Sequence, residues 1–214
     1  MKQFLSACLA VLLLAVPGSG KTTVLVTRLG YMCHVRGIPP EQIQVLSPTR
    51  RRGTGTGALN QALQQARNPP REDKGERRFG DWVFRAGDKV MQVRNNYDVM
   101  WKDGLTSGLG IFNGDIGQII RVDNREGTLT VDFEGRQVEY TGDMLVELEP
   151  AYAITVHKAQ GSEYPCVVLC AMPSAPGLMV RGVLYTALTR ARELLILVGD
   201  DAAVREMAAN DRRA

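Results

Sequence analysis

Three short segments of the chain combine residue types and spacings that suit phosphate chemistry. The first, Val16-Pro-Gly-Ser-Gly-Lys-Thr22, fits the pattern G-x-x-x-x-G-K-[ST], except that Ala15 stands at the first glycine position. Its glycines would let backbone amides turn toward phosphate oxygens, while Lys21 reaches the terminal phosphates and Thr22 ligates Mg²⁺. A glycine turn that happens to precede a lysine is the alternative, but the position between an apolar strand and a helix favours phosphate binding. The candidate phosphate-contacting residues are Gly18, Ser19, Gly20, Lys21, Thr22 and Thr23.

The second segment is Ala151-Tyr-Ala-Ile-Thr-Val-His-Lys-Ala-Gln-Gly-Ser-Glu163, an apolar strand followed by closely spaced polar residues. Ligands bind α/β sheets where strands end, which is where Thr155, His157, Gln160 and Glu163 would lie. A solvated loop is the simpler interpretation of His157 alone. The complete string is more specific than any one of its residues.

The third segment, Leu184-Tyr-Thr-Ala-Leu-Thr-Arg-Ala-Arg192, is predicted to lie on a helix that precedes an apolar strand. An arginine cannot be deprotonated, and its planar guanidinium forks onto phosphate oxygens, so Arg190 is a candidate for contact with a transferring phosphate. An exposed helix arginine is the commoner situation, and we assign Arg192 a structural role.

The elements predicted around these segments alternate between strand and helix. Residues 11–16 read as a buried strand and residues 21–35 as a helix, followed by a strand at 43–46 and a helix at 58–66. Residues 71–81 are polar and predicted to be an exposed linker. From residue 83 to about 146 the pattern changes to short period-two runs separated by turns, with a tight hairpin at Glu134-Gly135. After Pro150 the alternation resumes, with strands at 151–156, 167–171 and 194–198 and helices at 179–192 and 200–207.

Taken together, these strings resemble the RecD-like branch of superfamily 1 DNA helicases. The run Ala15-Val-Pro-Gly-Ser-Gly-Lys-Thr-Thr23 also resembles the phosphate loop of UvrD-type helicases, including the alanine. By this resemblance Thr155, His157 and Gln160 contact single-stranded DNA and couple it to the nucleotide. Glu163 contacts the nucleotide sugar, and Arg190 is the phosphate-sensing arginine. The resemblance implies ATP and Mg²⁺ as cofactors, with Lys21 and Arg190 as the catalytic residues.

The resemblance also predicts the fold. Residues 84–144, with Phe112-Asn-Gly-Asp-Ile-Gly117, look like the Src-homology-3-type barrel inserted in the second motor domain of RecD-like enzymes. We therefore expect an α/β fold, a P-loop NTPase (RecA-like) parallel sheet with an inserted small antiparallel β-barrel. Residues 1–42 would be a remnant of the first motor domain, residues 43–82 and 145–214 the second motor domain, and residues 83–144 the barrel. Either Arg50 or Arg51 matches a further nucleotide-facing arginine of the family, or both belong to a generic basic loop.

One part of the family pattern is missing from the sequence. A helicase of this type needs a strand ending in Asp-Glu to position Mg²⁺ and water, and no apolar run of this chain ends in Asp-Glu. Fewer than ten residues separate the first predicted helix from the next strand. We expect a truncated or degenerate helicase with impaired hydrolysis, or a chain whose protein partner supplies the missing parts. The alternative is a non-catalytic module that binds single-stranded DNA.

Composition leaves the partner and the compartment less defined. The net charge of +3 is too small to imply a polyanion partner by itself. None of the four cysteines forms a Cys-x-x-Cys pair, so we expect buried thiols rather than a zinc site. Residues 1–15 resemble a signal peptide and are too short for a membrane span. Because the next segment gives this apolar run a role as a buried strand, we predict a cytoplasmic protein without a membrane partner.

Overall fold

The computed structural model of the chain describes residues 9–14, 21–51 and 53–212. Its residues fall into two compact units, one formed from residues 1–62 and 153–214 and the other from residues 63–152. In chain order the elements are β1 (Leu9–Leu14), α1 (Lys21–His34), β2 (Ile43–Ser47), α2 (Thr56–Arg67), β3 (Glu76–Phe79), β4 (Trp82–Arg85), β5 (Lys89–Gln92), β6 (Asn96–Asp103), β7 (Thr106–Ile111), β8 (Ile116–Asp123), β9 (Thr128–Phe133), β10 (Arg136–Tyr140), β11 (Leu148–Pro150), β12 (Ala153–Thr155), β13 (Tyr164–Ala171), α3 (Arg181–Leu188), β14 (Ala191–Gly199) and α4 (Asp201–Ala209).

The first unit is built on a five-stranded sheet with the order β1-β14-β13-β2-β12. Every neighbouring pair in it is parallel. The central strand β13 contains the fully buried Val167, Val168 and Leu169, as expected for a strand covered on both faces. The α/β fold class predicted from the sequence is confirmed.

Parallel pairing gives this sheet two distinct edges. We call the end where Ser47, Thr155, Ala171 and Gly199 terminate their strands the carboxyl edge, and the opposite end the amino edge. Helix α1 connects the parallel strands β1 and β2, so it begins near the carboxyl edge and returns toward the amino edge. Its apolar residues Leu25, Leu29 and Met32 are buried, at the helical spacing that the sequence predicts.

The second unit is a seven-stranded sheet with the order β11-β5-β8-β9-β10-β6-β7, accompanied by the β3-β4 hairpin. Neighbouring strands in it pair antiparallel. Side chains from every strand of this sheet and from β4 share one apolar core, which includes the fully buried Phe133 and Tyr140. The predicted antiparallel insert is therefore present. Its hairpin turn lies at Glu134 and Gly135, whose φ angles of 54° and 94° fit a tight two-residue connection.

Two local predictions were wrong. Residues 71–81 are not simply a linker, because β3 pairs with β4 and Arg85 forms an ion pair with Glu76. The helix predicted over residues 179–192 ends at Leu188, and residues 191–192 already belong to β14. In both cases a strand forms because its backbone pairs with another strand, β3 with β4 and the start of β14 with β13. Among the described residues, no helix combines the length and apolar character that crossing a membrane requires.

Candidate nucleotide and single-strand-binding site

Strand β12 carries Thr155 to the carboxyl edge, where the next residues leave the sheet. The Val156 amide donates to the Ser47 carbonyl over 3.1 Å, which ties this exit to the end of β2. Thr155 is only 8% exposed, and its hydroxyl accepts a hydrogen bond from the Lys158 amide over 3.3 Å. Thr155 therefore shapes the loop, whereas the exposed residues after it can meet a ligand.

Residues 156–163, which we call the crossover loop, lead from the carboxyl edge to the start of β13 at the amino edge. The loop coils tightly, because the Ala159 amide donates to the carbonyls of Thr155 and Val156 and the Ser162 amide donates to the Ala159 carbonyl, each over 3.2 Å. Ala159 is fully buried, while His157 and Gln160 are exposed. The loop thus anchors itself inward and presents two polar side chains outward.

The amino edge brings Glu163 together with the arginines of the third segment. Arg190 Nη1 donates to the Ser162 carbonyl over 2.8 Å, and the Tyr164 amide donates to the Arg190 carbonyl over 2.8 Å. Arg192 Nε lies 2.9 Å from Glu163 Oε2. Two of the predicted nucleotide residues, Glu163 and Arg190, are therefore neighbours.

Arg190 was predicted to lie within a helix, but it lies just beyond the end of α3. It is half-buried, and its Nε and Nη2 donate to the Thr186 carbonyl over 3.3 Å and to Thr189 Oγ1 over 3.1 Å. A guanidinium has five N–H groups, so two of them have no partner among the described residues. Arg190 is held in place by its own domain and still has N–H groups to offer an anion.

The elements that flank the phosphate-loop segment in sequence, the end of β1 and the start of α1, lie at the carboxyl edge of the same sheet. Ala15 and Gly18 to Gly20 lie outside the described residues; β1 ends opposite Gly199, and Lys21 begins α1. Arg190 directly precedes β14, which is nine residues long. At about 3.3 Å per residue that strand separates the two edges by about 26–30 Å. Within one chain, Arg190 therefore does not face the end of β1 where a phosphate loop would begin.

The loop that follows β2 at the carboxyl edge contains Arg50 and Arg51, of which the sequence did not decide which one faces the nucleotide. Arg50 and Arg51 are both exposed, and the Thr56 amide at the start of α2 donates to the Thr49 carbonyl over 3.0 Å. A Cβ on Gly55 would lie 2.3 Å from the Arg51 carbonyl oxygen, so the turn requires glycine there. Both arginines share an edge with Thr155 and lie across the sheet from Arg190.

A row of amides on α2 and just past its C-terminal end, which supports the chain around β12, was not recognised in the sequence. Asn60 Nδ2 donates to the Ala153 carbonyl over 2.9 Å, and the Ala153 amide donates to Asn60 Oδ1 over 2.8 Å. Gln64 and Asn68, one and two turns further on, both donate to Asp88, which is 2% exposed. The spacing of four residues on one helix face was the available signal. Strand β12 is the last strand in the sheet order, and the Asn60 amide hydrogen-bonds its backbone as a further strand would.

Asp88 is the centre of a polar cluster in the second unit. Besides the two amides, it accepts hydrogen bonds from the Arg85 backbone amide over 2.7 Å and from the Tyr152 hydroxyl over 2.9 Å. Burial raises the pKa of this carboxyl, although the four donors oppose that shift. The cluster fixes the chain immediately before β12.

Comparison with known proteins gives the family of this chain. Residues 3–56 match the model of the UvrD/REP helicase N-terminal domain, residues 59–133 the ATP-dependent RecD-like DNA helicase SH3 domain, and residues 150–198 the UvrD-like helicase C-terminal domain. The ATP-dependent RecD2 DNA helicase of Deinococcus radiodurans is 37% identical over 175 residues, covering 82% of this chain and 22% of that protein. The RecBCD enzyme subunit RecD of Mycolicibacterium smegmatis is 29% identical over 174 residues, covering 81% of this chain and 28% of that subunit.

Solved helicase structures are similar at a lower level. The Bacteroides Pif1 helicase in complex with ADP-AlF3 and ssDNA is 18% identical, with a TM-score of 0.49, covering 89% of this chain and 51% of that one. The Candida albicans Pif1 helicase is 19% identical, with a TM-score of 0.45, covering 89% of this chain and 53% of that one. The chain spans between 15% and 28% of the length of the first curated relatives it matches. The three family models follow one another along the sequence in the order UvrD-like, RecD-like and UvrD-like, and the chain accordingly belongs to the RecD-like superfamily 1 DNA helicases.

Proposed function

We propose that this chain supplies the second motor domain of an ATP-dependent DNA helicase or translocase of the RecD-like class, acting on single-stranded DNA in repair or recombination in the cytoplasm. Residues 43–82 and 145–214 would form that motor domain, residues 83–144 its inserted barrel, and residues 1–42 a remnant of the first motor domain. The observation that carries the proposal is the crossover loop. It carries the exposed His157 and Gln160 in the same short segment as Glu163, and its Ser162 carbonyl accepts a hydrogen bond from Arg190.

The amino-edge residues suit a nucleotide. Arg190 offers two N–H groups from a fixed guanidinium, which fits the oxygens of a phosphate, and Glu163 is a half-exposed carboxylate that can accept from the hydroxyls of a sugar. To do so, Glu163 would exchange its contact with Arg192. Lys21 and Thr22 would hold the phosphates and Mg²⁺, and the ion would neutralise phosphate charge.

Single-stranded DNA would bind the outward face of the crossover loop. His157 and Gln160 supply exposed donors and acceptors for bases or phosphates, and Thr155 would act by holding the loop in shape. The half-buried Lys158 adds a positive charge to the same segment. These residues account for binding without specifying a base sequence.

Turnover by a lone chain would be impaired. Lys21 begins α1 near the carboxyl edge and Arg190 lies at the amino edge, so the two would not meet at one nucleotide phosphate within a chain. The sequence also lacks a strand ending in Asp-Glu. A protein partner that supplies the missing motor-domain parts would provide both a phosphate loop opposite Arg190 and the strand ending in Asp-Glu.

The same separation favours a second candidate function, a non-catalytic module that binds single-stranded DNA. Such a module needs His157 and Gln160 but neither Lys21 nor Arg190. Its affinity for DNA would fall with rising salt and be independent of ATP.

One titration distinguishes the two functions. Fluorescent oligothymidylate is titrated with the full chain in the presence and absence of ATP and Mg²⁺, while phosphate release is measured. The motor-domain proposal predicts that ATP changes the DNA affinity, that Arg190→Ala removes this effect and that Arg192→Ala keeps it. DNA affinity that is unchanged by ATP would establish the binding module instead, and absence of DNA binding would exclude both.

A further inference from the structure

The second unit has a gap in its antiparallel sheet between β6 and β10. These two strands pair at one position only, Lys102 with Gln137, although both lie entirely within the described residues. Next to that pair is a cavity of about 620 Å³, which we call the β6–β10 groove. Its walls include Asp98, Met100, Lys102, Gln137, Glu139 and Met144. Binding clefts typically have volumes of about 300–1,000 Å³, so a cavity of this size accommodates a short chain segment.

The β6–β10 groove continues into an exposed apolar surface on the β6-β7 hairpin. Met100 is 59% exposed, and Leu109, the residue directly opposite it on β7, is 62% exposed. Side chains directly opposite each other in a sheet lie about 5 Å apart, so these two form one patch. Met144, which packs partly against the core, adds a third apolar side chain to the groove. Methionine is flexible and polarizable, and it suits surfaces that adapt to a bound chain.

The strand beside this patch is open to another chain. Strand β7 is the last strand in the sheet order, and its residues Thr106–Ile111 include no charged residue and no proline. Edge strands are usually protected by such residues, because their unpaired backbone groups attract other chains. A Cβ on Gly108 would lie 2.4 Å from Trp101 Cζ2, so the strand needs glycine where the indole ring packs on it. The edge is therefore firmly held and unprotected.

The charges around the β6–β10 groove favour a basic partner over a nucleic acid. Asp98 and Glu139 are exposed carboxylates of its walls, and Lys102 is the positive charge among the wall residues. None of the three forms an ion pair within the part of the chain that the structure describes. Residues 121–149, which supply β10 and Met144, have three basic residues against eight acidic ones. Phosphate backbones bind surfaces with the opposite charge, so this surface suits lysine or arginine side chains instead.

We propose that the β6–β10 groove is a docking site for a partner protein, which inserts an extended segment carrying apolar side chains and at least one lysine or arginine. The apolar side chains would cover Met100, Leu109 and Met144, and the basic group would pair with the carboxylates of the groove. The groove lies entirely within the second unit. The inference therefore goes beyond the proposed function and requires neither ATP nor DNA binding.

The test uses a fluorescein-labelled peptide with the sequence Lys-Leu-Thr-Leu-Lys, in which alternation places both leucines on one side of an extended chain. The peptide is titrated with the full chain, and fluorescence anisotropy measures its affinity. Two comparison peptides replace either both lysines by glutamate or both leucines by serine. Each comparison peptide should bind at least about 5-fold more weakly, because it lacks either the charge or the apolar anchors. In nuclear magnetic resonance spectra of the labelled chain, the amides of Met100 and Glu139 should shift on binding.

Variants of exposed residues locate the site without disturbing the core. Met100→Ser should weaken binding of the lysine–leucine peptide by about 5-fold to 10-fold, since it removes an apolar anchor. Ile120→Ser is its matched control, because Ile120 is an exposed apolar residue of β8 outside the groove walls. Glu139→Lys should weaken binding by at least about 5-fold, and Glu126→Lys reverses an exposed acid elsewhere in the same acidic stretch. Both controls should change the affinity by less than about 2-fold. Leu109→Ser replaces Met100→Ser if that variant does not fold.

The outcomes decide what occupies the groove. Weaker binding in Met100→Ser and Glu139→Lys, with wild-type affinity in both controls, supports the docking site. Equal binding of the three peptides, or no binding at up to about 1 mM, overturns it. Displacement of the peptide by oligothymidylate assigns the groove to DNA and also overturns it. So does a dimer in sedimentation experiments that Met100→Ser converts to monomer, because the occupant is then a second copy of the chain. The proposed function is tested by ATP and DNA titration and stands or falls separately.

Discussion

Asn60 offers the sharpest test of how the site is held in place. Its side-chain amide pairs with both the N–H and the C=O of Ala153, over 2.8 and 2.9 Å, as a neighbouring strand would. Both residues are buried, with 5% and 1% exposure. Asn60→Leu keeps the approximate volume of the side chain but removes its donor and its acceptor. Two backbone groups of β12 would then be left without these partners.

The expected cost follows from that count. Leaving a buried polar group unsatisfied costs about 1–3 kcal/mol, so two such groups cost about 2–6 kcal/mol. Burial of the more apolar leucine offsets about 1–2 kcal/mol of this. We therefore expect Asn60→Leu to lower the free energy of unfolding by about 1–4 kcal/mol.

Urea unfolding measures this loss as a lower midpoint concentration with an unchanged slope. Hydrogen exchange of the Ala153 amide provides a local measurement, because its protection should decrease. Gln61→Leu is the control, since Gln61 is the exposed neighbour on the same helix and should change stability by less than about 0.5 kcal/mol. An Asn60→Leu protein with the wild-type midpoint and a protected Ala153 amide would refute the role of Asn60 as the missing neighbour of β12.

Further predictions concern the packing of both units. Because burial raises the pKa of Asp88, the folded chain binds the proton of this carboxyl more tightly than the unfolded chain does. Its contribution to the free energy of unfolding is therefore largest at pH values below its ordinary pKa of 3.8. That contribution falls as the pH rises through the raised pKa. Urea unfolding should accordingly show a larger advantage of wild type over Asp88→Asn at about pH 4 than at about pH 7. Arg192→Ala breaks an ion pair whose side chains are 63% and 50% exposed, so the unfolding free energy should change by less than about 1 kcal/mol. Gly199→Ala would place a Cβ 2.0 Å from the Ala171 carbonyl oxygen, and calorimetry should show a lower melting temperature by at least about 4 °C. Burial raises the pKa of the Cys170 thiol to about 12, so mass spectrometry should find it unalkylated in the folded chain at about pH 8 and alkylated after unfolding.

Regular elements with strong local signals were predictable from the sequence. The apolar run of β13 and the helical spacing of Leu25, Leu29 and Met32 each reflect burial of one continuous segment. The Glu134-Gly135 turn is equally local, because its positive φ angles favour glycine. Such features depend on neighbours within a few residues.

Elements that depend on distant partners were predicted poorly. Residues 189–192 have no strong preference against helix, yet Ala191 pairs with Tyr164 and begins β14. The charged sequence of β3 is typical of a linker, but β3 pairs with β4 and Glu76 forms an ion pair with Arg85. The partner of Ala191 is distant in sequence, whereas the partner of Glu76 lies on the next strand of the same hairpin, where an ion pair and not an apolar pattern marks the strand.

The sequence alone determined the family of this protein, because Thr155 to Glu163, Arg190 and the Lys21 segment match the family in residue type and spacing. Only the tertiary structure decided which of these groups meet. It placed Glu163 and Arg190 together at the amino edge of the parallel sheet and the end of β1 at the carboxyl edge. The direction and order of strands in a sheet result from backbone pairing between distant segments, and that pairing leaves no trace in the spacing of the residues it brings together.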